Sequence, residues 1–275
     1  SSAASDVYKS QGYACRRLHI PYCVNVQGLG TAFEKPGLSQ VVTMMYRTAL
    51  KGAKTVFFEN ERNAALFREK KITPEKQQTI LSGAGITLDF YQYEAYPENE
   101  AFHFLYLGRI MKEKGMDELF YAIRRLHKEY GGKVVLDIVG FFEDEYKGEV
   151  EKLVEDGIAV FHGFKEDPRP YYKAADCIVL PSYHEGMSNV LLEAASTGRP
   201  VVTSKIPGCM ESVEDGTTGY LCQVKNAHSL YQMMNEIYHK SRADREEMGK
   251  CARDKMAREF AKDEVVKMTV AKVKE

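Results

Sequence analysis

The fold is set by residues 176–204, which read DCIVLPSYHEGMSNVLLEAASTGRPVVTS. The unbroken apolar run at 177–180 is typical of a strand buried on both faces. Pro181 ends this strand, helical periodicity begins near Asn189, and Gly198 ends the helix before a second apolar run at 201–203. The order strand, loop, helix, strand predicts an α/β domain with a parallel sheet.

The polar loop 184–188 should lie at the carboxyl edge of this sheet and at a helix N-terminus. Open parallel sheets bind ligands at that edge, and free backbone N–H groups attract anions there. Two carboxylates mark the turn, with Glu185 in the loop and Glu193 inside the helix, separated by seven residues. That spacing alone is equally typical of two solvated side chains, so the interpretation depends on the surrounding string.

The rest of the chain repeats the alternation of strands and helices. Apolar runs predict further strands at 21–26, 55–58, 78–81, 102–107, 133–139, 158–161 and 220–222. The polar segment Pro97-Glu98-Asn99-Glu100 predicts a boundary between a first domain at 1–98 and a second at 99–255. We expect the charged, helical tail 256–275 to pack back on the first domain.

Composition limits the classes of function. The chain has 275 residues with 44% apolar and 28% charged residues, as in globular proteins of one or two domains. The net charge of −1 predicts no nucleic-acid partner. No apolar stretch has the length of a membrane span, so we expect a cytoplasmic protein, with any membrane contact peripheral. None of the six cysteines forms a C-x-x-C pair, which favours reduced thiols.

The string PSYHEGMSNVLLEA at 181–194 resembles the signature of the retaining GT-B glycosyltransferases of family 4. That family carries P-S-x-x-E-G-x-x-x-x-x-x-E-A, and Gly108-Arg109 with Lys114-Gly115 match its G-R-x-x-x-x-K-G motif. The resemblance implies two Rossmann-like doubly wound domains. Only about three strands precede residue 98, so we expect the first domain to be incomplete.

The resemblance also implies roles at the donor side. Arg109 and Lys114 would hold the diphosphate of a nucleotide sugar, since GT-B enzymes use cations and a helix N-terminus where others use a metal. A surface salt bridge is the alternative for these two side chains. Glu185 would hold the donor sugar and Glu193 the ribose. Other donor-binding positions are Gly108, Gly163, Phe164, Gly186, Met187, Ser188 and Asn189.

Two carboxylates also occur in glycoside hydrolases, where they face one bond from opposite sides. Glu185 and Glu193 flank a single turn instead, which favours contacts with different ends of one nucleotide sugar. The acidic run Glu143-Asp144-Glu145 is more typical of a solvated loop than of a D-x-D metal site. We therefore expect no metal and no cofactor besides the nucleotide-sugar substrate. A strand-end turn without a ligand remains the alternative for residues 162–164.

The segment Asn25-Val26-Gln27-Gly28-Leu29-Gly30 resembles T-x-H-G-L-G of the CapM-like and PglA-like branch. That branch builds capsule, O-antigen or glycan precursors on polyprenyl diphosphate, which places Gln27 and Gly28 on the acceptor side. Gln27 replaces a histidine, and glutamine cannot take a proton at neutral pH. The family reaction needs no such base if the leaving phosphate takes the acceptor proton.

The sequence therefore predicts retaining transfer of a hexose or N-acetylhexosamine from a nucleotide sugar, most simply a UDP sugar, to a lipid-linked saccharide. One alternative is a donor-binding fragment that is inactive because the acceptor domain is incomplete. Another is a GT-B nucleotide-sugar 2-epimerase, which the E-G-x6-E string argues against.

Overall fold

The computed structural model describes residues 11–27, 33 and 37–274, which form two compact units. The first unit contains the described residues up to Gly85 and those from Lys262, and the second contains 86–261. The predicted boundaries stood at 98/99 and 255/256. Residues 86–98 lie in the second unit because they bond to it: the Ile86 N–H donates to Phe260 O (2.7 Å) and the Tyr96 hydroxyl to Asp176 O (2.6 Å).

The first unit has a parallel sheet of three strands in the order β1-β2-β3. Its named strands and helices are β1 Val24–Val26, α1 Leu38–Leu50, β2 Val56–Phe58, α2 Glu61–Glu69, β3 Gln78–Ile80 and α9 Lys262–Lys274, and residues 11–17 are also helical. The α2 helix begins where the Asn60 side chain accepts the N–H of Asn63, as a capping residue does. Val265 of α9 packs against Phe57 and Leu81, so this helix completes the core.

The second unit is built on a six-stranded parallel sheet in the order β6-β5-β4-β7-β8-β9. The strands are β4 Phe102–Leu107, β5 Val134–Val139, β6 Ala159–Gly163, β7 Cys177–Leu180, β8 Val201–Ser204 and β9 Gly219–Cys222. All four residues of β7 are buried, which confirms the strand predicted from the apolar run. This order is that of a doubly wound Rossmann-like domain.

Helices cover both faces of this sheet, as parallel strands require. They are α3 Met116–Tyr130, α4 Lys147–Glu155, α5 Arg169–Ala174, α6 Asn189–Ser196, α7 Ala227–His239 and α8 Arg242–Glu259. The predicted tail helix is broken at 260–261, where Phe260 is buried and Ala261 pairs with Ile86. No helix in the described ranges is long and apolar enough to cross a membrane.

Strands β4 and β7 are neighbours in space but not in sequence, so the strand order reverses between them. In open α/β sheets a crevice forms at this reversal, outside the carboxyl ends of the strands, and ligands bind in it. Gly108 follows β4 and Pro181 follows β7. The fold therefore places the two predicted motifs side by side.

Candidate active site

The loops after β4 and β7 are joined directly. The Tyr183 N–H donates to Glu113 O at 2.8 Å. Gly115 has a φ of 76°, and a Cβ at this position would lie 2.2 Å from Pro181 O. Such a contact is sterically impossible, so only glycine allows the two loops to approach this closely.

Lys114 and Glu185 form an ion pair at this junction. The Lys114 Nζ atom lies 2.6 Å from Glu185 Oε1, and the two side chains are only 17% and 13% exposed. Attraction between charges is stronger where water is excluded. The structure thus brings together the cation predicted for the diphosphate and the carboxylate predicted for the sugar.

Helix α6 begins beside this pair. Ser188 is its buried N-cap, and the Ser188 side chain makes no capping hydrogen bond. Asn189, the first helical residue, is exposed, whereas Met187 packs on the apolar cluster that contains Leu192. The helix N-terminus therefore lies next to the loop that carries Glu185, as predicted.

A third loop, 206–209 after β8, supports this arrangement and was not predicted as part of the site. Gly208 O accepts the Ser188 N–H at 3.0 Å. Gly208 has a φ of 88°, and a Cβ there would lie 2.5 Å from Gly186 O and 2.6 Å from Glu185 O. Pro207-Gly208 at the carboxyl end of a parallel strand was the available sequence signal.

Glu193 lies in α6 and is held by two tyrosines. The Tyr172 hydroxyl donates to Glu193 Oε2 at 2.8 Å, and the Tyr91 hydroxyl is a second donor. Burial raises the pKa of the Glu193 carboxyl, and the two tyrosine hydrogen bonds oppose that effect. The sequence pattern gave no indication of either tyrosine, because both come from segments distant in sequence.

The strand ends near the predicted donor-binding turn at 162–164 are tightly packed. The Gly140 N–H donates to Gly163 O at 3.0 Å, and the Gly108 N–H to Val139 O at 3.0 Å. A Cβ on Gly140 would lie 1.8 Å from Gly108 O. Beyond these glycines, the Phe164 ring is 64% exposed and lies 6.2 Å from the ring of Phe141.

Arg109 is not part of the Lys114–Glu185 pair in this structure. Its guanidinium lies 2.6 Å from Glu143 Oε2, and both side chains are more than two-fifths exposed. Asp144 accepts the backbone N–H of Lys112 at 2.8 Å. The acidic run after β5 thus binds the loop 109–112, and the described residues contain no group of three His, Cys, Asp or Glu side chains that could hold a metal ion.

The predicted acceptor residues belong to the first unit. Gln27 directly follows β1 and is exposed. Gly28 lies outside the described residues. The six cysteines are all free thiols.

Comparison with known proteins identifies the family to which this fold belongs. Residues 101–240 match the family model described as glycosyl transferases group 1. This match covers half of the chain, and the chain belongs to that family. The membership and the GT-B fold expected from the sequence are confirmed.

Two relatives and one solved structure illustrate the similarity. The capsular polysaccharide biosynthesis glycosyltransferase CapM of Staphylococcus aureus is 25% identical over 204 residues, 69% of this chain and 53% of CapM. The N,N'-diacetylbacillosaminyl-diphospho-undecaprenol alpha-1,3-N-acetylgalactosaminyltransferase of Campylobacter jejuni is 26% identical over 241 residues, 81% of this chain and 62% of that protein. Anabaena Alr3699/HepE, solved in complex with UDP, has a TM-score of 0.83 at 17% identity, covering 98% of this chain and 76% of HepE.

The chain thus spans between half and two thirds of the length of these two relatives. The similarity to HepE, at that identity, concerns the fold.

Proposed function

We propose that this chain carries out metal-independent, retaining transfer of a hexose or N-acetylhexosamine from a UDP sugar to a saccharide on polyprenyl diphosphate, in cell-surface polysaccharide synthesis. The observation that carries the proposal is the Lys114–Glu185 pair at the strand reversal, next to the N-terminus of α6. A cation, a carboxylate and the positive end of a helix dipole are together what a sugar diphosphate requires.

Lys114 provides the charge that the reaction needs. As the bond to the sugar breaks, negative charge builds on the leaving diphosphate, and fixed donors stabilise that charge best. The N-terminus of α6, with Gly186, Ser188 and Asn189, adds the positive end of a helix dipole. Arg109, now paired with Glu143 at the surface, is the second cation within the same loop.

The two carboxylates bind opposite ends of the donor in this proposal. Glu185, in the loop, accepts hydrogen bonds from hydroxyls of the sugar near the reacting carbon. Glu193, one to two turns into α6, accepts from the ribose hydroxyls, and Tyr172 keeps its carboxylate oriented. Gly163 and Phe164 at the end of β6 face the base.

Retention follows if the acceptor hydroxyl attacks on the side that the diphosphate leaves. The bond from the anomeric carbon to the phosphate oxygen breaks, the bond to the acceptor oxygen forms, and the acceptor proton moves to the leaving phosphate. No side-chain base is then required, which suits Gln27 on the acceptor side because an amide cannot accept that proton.

The relatives support the choice of substrates. HepE was solved with UDP, and the name of the C. jejuni relative specifies an undecaprenol diphosphate acceptor. CapM is named for capsular polysaccharide biosynthesis. A lipid-linked acceptor would bring a cytoplasmic protein into peripheral contact with the membrane.

The test is transfer from UDP-glucose, UDP-galactose and their N-acetylamino forms to a polyprenyl-diphosphate saccharide, with EDTA present. We expect UDP release coupled to an α-linked product from one of these α-linked donors, read by NMR. A β-linked product, transfer that EDTA abolishes, or conversion of the donor to its 2-epimer would contradict the proposal.

A further inference from the structure

The first unit contains a cationic cavity that the proposed reaction does not use. It has a volume of about 550 Å³. Five of the side chains that line it are cations, and no aspartate or glutamate is among the described residues at its wall; the cations are Arg47, Lys51, Lys54, Lys71 and Lys76. Like charges gathered in one cleft repel one another and concentrate a positive field that attracts anions.

The cavity lies at the opposite edge of the sheet from the predicted acceptor residues. Lys54 precedes β2 and Lys76 precedes β3, so both lie at the amino ends of their strands. Gln27 follows β1 at the carboxyl end. Three-residue strands span about 10 Å, so this cavity is separate from the acceptor edge within the same sheet.

Hydrogen bonds hold the walls of the cavity in place. The Arg47 guanidinium donates to the carbonyls of Lys70 and Lys71 at the end of α2. The Gln77 amide donates to Leu50 O at 2.9 Å and Ala53 O at 2.6 Å, which fixes the end of α1 to the turn before β3. The two helix ends are therefore fixed relative to each other before any ligand binds.

The remaining lysines are available for an anion. Within the described residues, Lys51, Lys71 and Lys76 form no ion pair with a carboxylate. Lys71 has a φ of 50°, in the left-handed region that favours glycine. This conformation ends α2 directly after its C-cap Lys70, as left-handed residues commonly do.

We propose that this cavity binds a phosphoryl or diphosphoryl group. The ammonium groups of Lys51, Lys71 and Lys76 contact the anion. Arg47 and Lys54 form the walls, and the Lys54 ammonium is held by its hydrogen bond to Val273 O (3.0 Å). Such a group occurs both in free phosphate compounds and in phospholipid headgroups, and the experiment separates these two sources.

The experiment compares two variants that each lose two positive charges. Lys51→Ala/Lys76→Ala alters the cavity. Arg62→Ala/Lys262→Ala is the control, since both of its side chains are exposed and lie at the far ends of α2 and α9 from the cavity, about 13 Å or more away at 1.5 Å per helical residue. Unfolding temperatures of both variants establish that each is folded.

Calorimetry with pyrophosphate and sedimentation with vesicles of phosphatidylglycerol or of phosphatidylcholine are the two arms. For a soluble ligand we expect pyrophosphate affinity to fall at least tenfold in the cavity variant and less than twofold in the control. For a headgroup, binding to phosphatidylglycerol vesicles falls in the same selective way. Equal losses in both variants, or no binding of either probe by the unmodified chain, would overturn the proposal. The site proposed for UDP lies in the second unit, whereas the cavity lies in the first. Titration with UDP therefore tests the proposed function separately from the cavity.

Discussion

The ammonium of Lys114 lies 2.6 Å from a carboxylate oxygen of Glu185, and the pair connects the loop after β4 with the loop after β7. Both residues were predicted to contact the donor, one at the diphosphate and the other at the sugar. Because the two side chains are paired, the charge of each one affects how strongly the other can bind a ligand. Removing one partner of a shielded pair leaves the other without compensation.

The two carboxylates should therefore respond differently to neutralisation. Glu185→Gln frees Lys114, so we expect the affinity for UDP to stay constant or increase, while the affinity for the UDP sugar decreases relative to it. Glu193→Gln should lower the affinity for both UDP and the UDP sugar by about five- to thirtyfold, the effect of losing about 1–2 kcal/mol of hydrogen bonding. Calorimetric titration of each variant with UDP and with the UDP sugar gives four affinities and therefore one ratio for each variant. An identical ratio of the two affinities in both variants would refute the assigned roles.

The approach of the two loops depends on Gly115. Gly115→Ala should lower the free energy of unfolding by about 2–4 kcal/mol, because its Cβ would meet Pro181 O in addition to straining the backbone. Gly157→Ala is the matched control: its φ is 70°, and a Cβ there would meet nothing within 4 Å. Denaturant unfolding of both variants should show a much smaller loss for Gly157→Ala, about 1–2 kcal/mol. Equal losses would show that the contact with Pro181 is unimportant.

Arg199 is fully buried and contacts backbone carbonyls instead of a carboxylate. Its guanidinium donates to the carbonyls of Tyr172, Lys173, Glu94 and Ala95. Arg199→Met leaves these carbonyls without donors and should lower the free energy of unfolding by about 2–4 kcal/mol. Arg258→Met, at an exposed arginine of α8, should change it by less than about 0.5 kcal/mol. Unfolding curves that do not distinguish the two variants would contradict this role of Arg199.

Stability should also depend on pH through Asp137, which lies between two histidines. Asp137 accepts from His103 Nδ1 and His162 Nε2, each at 2.7 Å. The hydrogen bond to Asp137 raises the pKa of His103. Burial alone would raise the pKa of Asp137, but the hydrogen bonds from the two imidazoles outweigh it and the pKa is lowered.

The signs of these shifts define a window of pH. The stabilisation from His103 is fully present below the ordinary histidine pKa of about 6.5 and is lost as the pH rises through the higher folded value. The stabilisation from Asp137 is present above about pH 4 and is lost as the pH falls through the lowered pKa of the folded state. We expect stability from the cluster to be greatest between about pH 4 and 6.5, and His103→Gln to flatten the decline above that range. Parallel curves of unfolding free energy against pH for the two proteins would contradict this.

The sequence was most informative where the pattern of apolar residues identifies a whole strand or helix. The strand at 177–180 and the start of the helix at Asn189 appear as predicted, because a doubly buried strand and a helix start have local signatures. The break at 260–261 was not predicted, since it arises from pairing with Ile86, which is distant in sequence.

Side-chain partners within the site could not be predicted in this way. The pairing of Arg109 with Glu143 and the hydrogen bond from Tyr172 to Glu193 join segments whose proximity only the sheet order determines. The family motif located Lys114 and Glu185, but the contact between them depends on β4 and β7 being neighbours. The roles of these residues in transfer stay predictions.

The most direct test of the central claim is calorimetric titration of UDP into the unmodified chain and into Lys114→Ala, with EDTA present. Lys112→Ala, at an exposed lysine in the same turn, is the control. We predict that UDP binds the unmodified chain and the control equally, and that Lys114→Ala loses about ten- to a hundredfold in affinity, the effect of a charge-assisted contact of about 1.5–3 kcal/mol. Equal affinity of Lys114→Ala and the unmodified chain, or binding that requires a metal ion, would contradict the account.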